Sequence, residues 1–364
     1  MTKALRTPFS SDLQQKIDTL KERQKKIMLG SVEFNSPLLL APMSAISIAP
    51  FRLLMEELGA GGTVSELISC HGINYQNEKT HQMLTIDPRE EHIGIQLFGE
   101  DPEAMARAAL VAQERNPKFI DINMGCPVRK VVTKGGGSAL LKETQKLANF
   151  FSTMKKDLSI PLTVKIRTGW DEENINAKEV VHIAKEEGLE FVAIHGRTRT
   201  QQYKGHANWN ILESVACEAE LPIIGNGDLH EAHEVRDRMG QTNCQALMLG
   251  RGPLRNPFIF LESYLTADDT INFGPKDYFE VITRLYDYLS QYTDRERTLL
   301  VQMRKHIVWM AQGFPGVANF RGQIFQTPDL GDTMKFTEDY FMGLDHRTSK
   351  SIDHSEAFMT SGHG

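Results

Sequence analysis

Much that would announce a function is missing. The 364 residues include four cysteines, at 70, 126, 217 and 244, and no two of them form a Cys-x-x-Cys pair. That spacing argues against a zinc site and gives no disulfide framework. No metal is expected, and a reducing cytoplasm is the expected compartment. No apolar run approaches the ~20 residues of a membrane span, so no membrane partner is expected. The first residues are polar and charged, so no secretory signal is expected. Basic surplus is absent too: 41 Lys and Arg stand against 47 Asp and Glu, a formal net charge of −6. Nucleic-acid binders usually show the opposite balance; if RNA is the substrate, the basic residues must be gathered on one face. After the first apolar run there is no Gly-x-Gly-x-x-Gly; Ala41-Pro-Met-Ser44 stands there instead, which argues against a doubly wound dinucleotide-binding sheet.

What is present is 40% hydrophobic and 24% charged, the balance of a globular protein. Residues 1–30 read as a helical extension, with Leu13, Ile17 and Leu20 at helical spacing. From Val32 short apolar runs alternate with helical stretches. The runs are 38–43, 63–67, 93–97, 119–124, 162–166, 191–195, 222–226 and 246–250. Eight β/α repeats over roughly 220 residues predict an α/β fold, a (β/α)8 TIM barrel, whose usual size is about 250. We place it over 31–268. The strand pattern then stops, and helical periods over 277–312 and 333–345 predict a smaller all-helical domain over 269–345. The Ser-, Thr-, His- and Gly-rich residues 346–364 read as a disordered tail.

Such barrels do their chemistry at the C-terminal ends of the strands. The residues read there are Pro42, Met43 and Ser44, then Gln96, Asn123, Cys126, Lys165, Arg167, His195, Asn226, Gly227, Asp228, Gly250 and Arg251. Singly, each reads as a satisfied core or surface residue; together they do not fit an inert barrel. Gly225-Asn-Gly-Asp228 and Gly250-Arg-Gly252 are tight turns whose N–H groups can hold a phosphate, in the loops where barrels commonly do so. The plainer reading is two βα turns that need glycine for positive φ. Phosphate, the Gln96 amide, the Lys165 ammonium and the His195 ring suit flavin mononucleotide, with Lys165 placing charge near ring N1. From residue types alone another phosphorylated ligand fits nearly as well.

One stretch organises the rest. Phe119 to Ile122 reads as a short buried strand with one acidic residue, broken by Gly125 and Pro127. Cys126 therefore lies in a loop, flanked by residues that set the backbone; a lone cysteine is otherwise commonly a small buried hydrophobe. The stretch resembles the active-site segment of the tRNA-dihydrouridine synthases, Asn-x-Gly-Cys-Pro-x-x-Lys-Val, at Asn123, Gly125, Cys126, Pro127, Lys130 and Val131. The resemblance covers about residues 32 to 325, nearest to the bacterial B-type branch. It takes in Ala41-Pro-Met43, Gln96-Leu-Phe-Gly99, Val164-Lys-Ile-Arg-Thr-Gly-Trp170, His195-Gly-Arg-Thr-Arg199, Gly225-Asn-Gly-Asp228 and Gly250-Arg-Gly252.

The resemblance implies an FMN barrel followed by a helical tRNA-binding domain. It implies reduction of uridine in tRNA to 5,6-dihydrouridine, with NADPH or NADH as hydride donor and Cys126 as proton donor to C5. It assigns Pro42, Met43, Ser44, Gln96, Lys165, His195, Asn226, Gly227, Asp228, Gly250 and Arg251 to FMN, and Asn123, Arg167 and Arg197 to the substrate base. Arg304, Lys305 and Arg321 fall in the family's C-terminal pattern and are expected at tRNA phosphates; the plainer reading is a solvated helix face. A monomer is expected. The competing readings are a flavin barrel acting on a free pyrimidine, as dihydroorotate dehydrogenases do, and an RNA-binding protein with an inactive barrel.

Overall fold

We describe residues 8–352 of a computed structural model. A helix, Ser11–Lys21, opens it, capped by the Ser10 hydroxyl, which accepts from the Leu13 N–H at 3.4 Å. Its Leu13, Ile17 and Leu20 are buried, as their spacing predicts. The extension also holds an antiparallel hairpin that the sequence reading missed: β1 (Ile27–Leu29) and β2 (Val32–Phe34), turning at Gly30 with φ +59°.

The barrel strands follow: β3 (Leu38–Leu40), β4 (Gly62–Val64), β5 (Ile68–Ser69), β6 (Ile93–Phe98), β7 (Phe119–Met124), β8 (Leu162–Arg167), β9 (Val192–His195), β10 (Ile223–Asn226) and β11 (Ala246–Leu249). They pair in parallel in the order β4-β3-β11-β10-β9-β8-β7-β6-β5, and β4 also pairs with β6, which closes the ring. Closure excludes the open doubly wound sheet. All residues of β7 and β8 are buried, the pattern of parallel strands covered on both faces. The run 63–67 does not continue as one strand. At Ser65 the hydroxyl oxygen takes the Gln96 N–H at 2.9 Å, where a ladder carbonyl would otherwise stand, and β5 resumes beside β6 three residues on.

The hairpin closes the barrel's N-terminal end. Phe34 meets Phe119 and Phe191 edge-to-face, each with centroids 5.9 Å apart, and those two meet each other at 5.3 Å. The opposite end is left open for chemistry.

Four helices, Pro275–Tyr292, Glu296–Ala311, Val317–Ile324 and Leu330–Met342, form the C-terminal region. Their apolar faces share one core with the first barrel helix, Ala49–Glu57: Phe51 and Leu54 are buried in one cluster with Val281, Leu285, Met303 and Ile307. The expected boundary at 268/269 therefore coincides with no gap in the core. Residues 346–352, expected as part of a disordered tail, pack instead. Lys350 Nζ donates to the Met310 carbonyl at 2.8 Å and lies over the Tyr278 ring, and Ser351 N–H donates to the Gly313 carbonyl. The rest of that tail, 353–364, lies outside the described residues, as do residues 1–7. Among the described residues no helix is long and apolar enough to cross a membrane.

Candidate active site

The strand ends converge on one cleft of about 1170 Å³, its open mouth included. Its walls contain Pro42, Met43, Ser44, Gln96, Asn123, Cys126, Lys165, Arg167, His195, Arg197, Asn226, Gly227, Asp228, Gly250 and Arg251. Every barrel residue singled out from the sequence is therefore in one place.

The floor is polar and buried. Lys165, on β8, donates from Nζ to Asn226 Oδ1 at 3.1 Å, and Asn226 Nδ2 donates to the Met248 carbonyl at 2.7 Å. Burial, helped by the nearby Arg167 charge, pulls the Lys165 ammonium down to about 8 against the pull of Asp121. Gln96, also on the floor, has both ends of its amide engaged: Nε2 donates to Asp121 Oδ2 and Oε1 accepts from Asn123 Nδ2, each at 2.7 Å. His195, at the end of β9, is half-buried, and its burial beside Arg167, Lys165 and Arg197 drives its pKa well below the ordinary imidazole value. It is a neutral ring.

Three strands round the ring from β7 lies the turn after β10. Gly227 has φ +137° and Asp228 +50°. A Cβ at Gly227 would stand 2.5 Å from that of Ala207 and 3.2 Å from His195 Cδ2, so backbone angle and space both demand glycine. A Cβ at Gly250 would meet only Ala41, at 3.9 Å, which leaves its backbone facing open space. Asp228 accepts from Arg197 Nη2 and from the Ala207 N–H, at 2.8 and 2.7 Å. Burial pushes its carboxyl up, but the bonds from His230, Arg197 and Ala207 win and hold it below the usual carboxylate range.

The Cys126 loop is tied at three points. Cys126 N–H donates to Asn123 Oδ1 at 3.0 Å, its carbonyl accepts from Ser138 Oγ at 2.9 Å, and the neighbouring Gly125 carbonyl accepts from Arg167 Nε at 2.8 Å. The thiol is half-buried rather than packed in the core. Burial raises its pKa above the ordinary value, against the Val128 N–H and the Arg167 charge, so it stays protonated at neutral pH.

Two residues expected at the substrate are also struts. Arg167 donates to the Thr198 and Gln202 carbonyls, both at 2.8 Å. Arg197 holds the Gly205 carbonyl at 2.7 Å besides Asp228. Of the C-terminal cations, Arg321 is exposed, whereas Arg304 donates to Thr327 and Lys305 Nζ donates to the Ala45 carbonyl at 2.8 Å. None of the three lines the cleft. Sequence reading missed Tyr203, which lines it with the Arg251 and Arg167 guanidiniums 5.4 and 5.6 Å from its ring centre. The available signal was a lone aromatic in the polar loop after His195-Gly-Arg-Thr-Arg199.

Residues 39–343 match the family model described as dihydrouridine synthase (Dus). The chain belongs to the dihydrouridine synthase family. It is 35% identical over 317 residues to tRNA-dihydrouridine synthase B of Pasteurella multocida, covering 86% of this chain and 95% of that one. It is 34% identical over 301 residues to a probable tRNA-dihydrouridine synthase of Rickettsia prowazekii, covering 81% and 91%. Among solved structures, the fold is shared with a complex of 2-naphthoyl-CoA reductase, at TM-score 0.53 and 11% identity, over 67% of this chain and 52% of that one. In this chain residues from each of the motifs read in the sequence, scattered from Ala41 to Arg251, line a single cleft.

Proposed function

We propose that this protein reduces uridine in tRNA to 5,6-dihydrouridine, with FMN as its flavin and NADPH or NADH as hydride source. The observation that carries the reading is the half-buried Cys126 thiol on the same cleft as the Gln96, Asn123 and Lys165 floor. The residues present fit FMN. The Gly227 and Gly250 backbones with Arg251 suit its phosphate; Lys165 and Gln96 suit the ring; and Pro42, Met43, Ser44, His195, Asn226 and Asp228 complete the walls. Bound there and reduced by NADPH or NADH, the flavin would supply a hydride to C6 of the pyrimidine.

The protein supplies the rest. Cys126 gives its proton to C5, so that one hydride and one proton saturate the bond. A thiol with a raised pKa is a donor at neutral pH, whereas a nucleophilic cysteine needs its pKa depressed. Asn123, Arg167 and Arg197 hold the loops around the base. The uridine must leave its stack to reach the cleft, which a structured RNA loop allows at low cost. Arg321, exposed on the C-terminal helices, is free of the barrel and suits a tRNA phosphate. A reducing cytoplasm keeps Cys126 a thiol, and a monomer suffices because one chain supplies every group named.

Mapping dihydrouridine in tRNA from cells with and without this gene tests the assignment. At least one position should revert to uridine when the gene is removed. An unchanged map, together with turnover of free orotate by the purified protein, would move it to the dihydroorotate class.

A further inference from the structure

A line of side-chain hydrogen bonds runs beneath the cleft to the Cys126 loop. Thr163 Oγ1 donates to Asp121 Oδ1 at 2.6 Å, and Gln96 Nε2 donates to Asp121 Oδ2 at 2.7 Å. Asn123 Nδ2 donates to Gln96 Oε1 at 2.7 Å, and the Cys126 N–H donates to Asn123 Oδ1 at 3.0 Å. Asp121, Gln96 and Asn123 are 2%, 0% and 7% exposed.

A carboxamide can usually be turned either way; these two cannot. The ionised carboxylate at one end only accepts, and the peptide N–H at the other only donates. Working inward from either end gives the same orientation for both amides. Turning one would set oxygen against oxygen and N–H against N–H, in a place where an unmade bond costs about 1–3 kcal/mol. The two ends agree, and at the barrel end the acceptor for Gln96 is the Asp121 carboxylate.

We propose that Asp121 is a positioning residue: its carboxylate fixes which way round the Gln96 and Asn123 amides stand, and through Asn123 it seats Cys126. What Cys126 then does rests on the dihydrouridine reading; the bond chain itself does not. The orientation has a chemical consequence. It leaves a lone pair on Gln96 Oε1 next to a remaining N–H on Asn123. That pair complements a ring edge carrying N–H beside C=O, as in uracil and isoalloxazine. In the same pose it is mismatched to cytosine, whose N3 has no hydrogen and whose C4 bears an amine.

The groups facing Asp121 are Gln96 from β6 and Thr163 and Lys165 from β8. Burial outweighs their pull and raises its carboxyl to about 6. Below that pH the acceptor is neutral and holds Gln96 less firmly.

The test uses the full chain with Asp121→Val, Asp121→Asn and Gln96→Met. The first readout is the alkylation rate of Cys126 by iodoacetamide, followed by mass spectrometry of its peptide with no flavin or tRNA present. Asp121→Val and Gln96→Met, which each cut the line between Asp121 and Asn123, should each speed it about tenfold, the size of one buried hydrogen bond. Asp121→Asn, whose carbonyl can still accept from Gln96, should stay within about twofold of the parent on the same scale. The second readout is riboflavin affinity, chosen because riboflavin lacks a titrating phosphate. It should weaken below about pH 6 in the parent chain, and this pH dependence should vanish in Asp121→Asn.

Unchanged alkylation in Asp121→Val overturns the proposal, and so does a loss in Asp121→Asn as large as in Asp121→Val. If Asp121→Val does not fold, Gln96→Met, which cuts the same line between Asp121 and Asn123, decides. If the parent chain binds no flavin, the dihydrouridine reading fails while the alkylation arm still judges Asp121.

Discussion

Lys165 shows how much one buried charge controls. Its ammonium sits on the cleft floor with Asn226 as its hydrogen-bond acceptor, and burial has brought its pKa to about 8. Below that value it is charged and attracts an anionic cofactor; above it the attraction is lost. FMN affinity should therefore fall as pH rises through about 8. Lys165→Met should bind FMN about 10- to 100-fold more weakly, the equivalent of roughly 1.5–3 kcal/mol for a hydrogen bond to a charged group, and should lose the pH dependence. A fluorescence titration of flavin at several pH values checks both. Lys165 was legible in the sequence because a lysine in an apolar strand has few reasons to be there. Asp121 was equally visible, but read as a lone polar residue in a strand, because its meaning lies in partners 25 and 42 residues away. Arg304 and Lys305 were legible as charges and illegible as contacts. Helical spacing does not say that Lys305 reaches the Ala45 carbonyl, 260 residues earlier.

Among elements, the long runs announced themselves and the short ones did not. Residues of β7 and β8 are buried on both faces, so their sequences read as continuous apolar runs. The hairpin of β1 and β2 has three residues per strand, too few to show a period, and it lies inside a stretch dominated by helical spacing. Yet it closes the floor, with Phe34 packed on Phe119 and Phe191. Phe34→Ala should cost about 3–5 kcal/mol of stability, seen as a lower denaturation midpoint. Flavin affinity should be little changed at 25 °C, because Phe34 lies at the end of the barrel away from the cleft. A matching loss of flavin affinity would mean that the floor and the cleft are coupled.

For the whole molecule, a net charge of −6 and an RNA substrate are reconciled by where the charges lie. The cleft holds Lys165, Arg167, Arg197 and Arg251 with Asp228 as its one carboxylate, and the loop beyond Cys126 exposes Arg129, Lys130 and Lys134. Composition averages over that distribution; only the fold gathers it. The C-terminal helices share a core with the first barrel helix, so those helices and the barrel belong to one packed body. On that body the central claim is that a protonated thiol completes a reduction begun by a flavin. The most direct measurement compares the parent chain with Cys126→Ala, each given FMN, NADPH and unmodified tRNA, with flavin reduction and tRNA mass followed together. The variant should hold FMN and let NADPH reduce it at the parental rate, while dihydrouridine formation falls by about 10²–10⁴-fold, the usual contribution of a positioned acid. Dihydrouridine formed at the parental rate, or a variant that no longer holds flavin, would contradict the role given to Cys126.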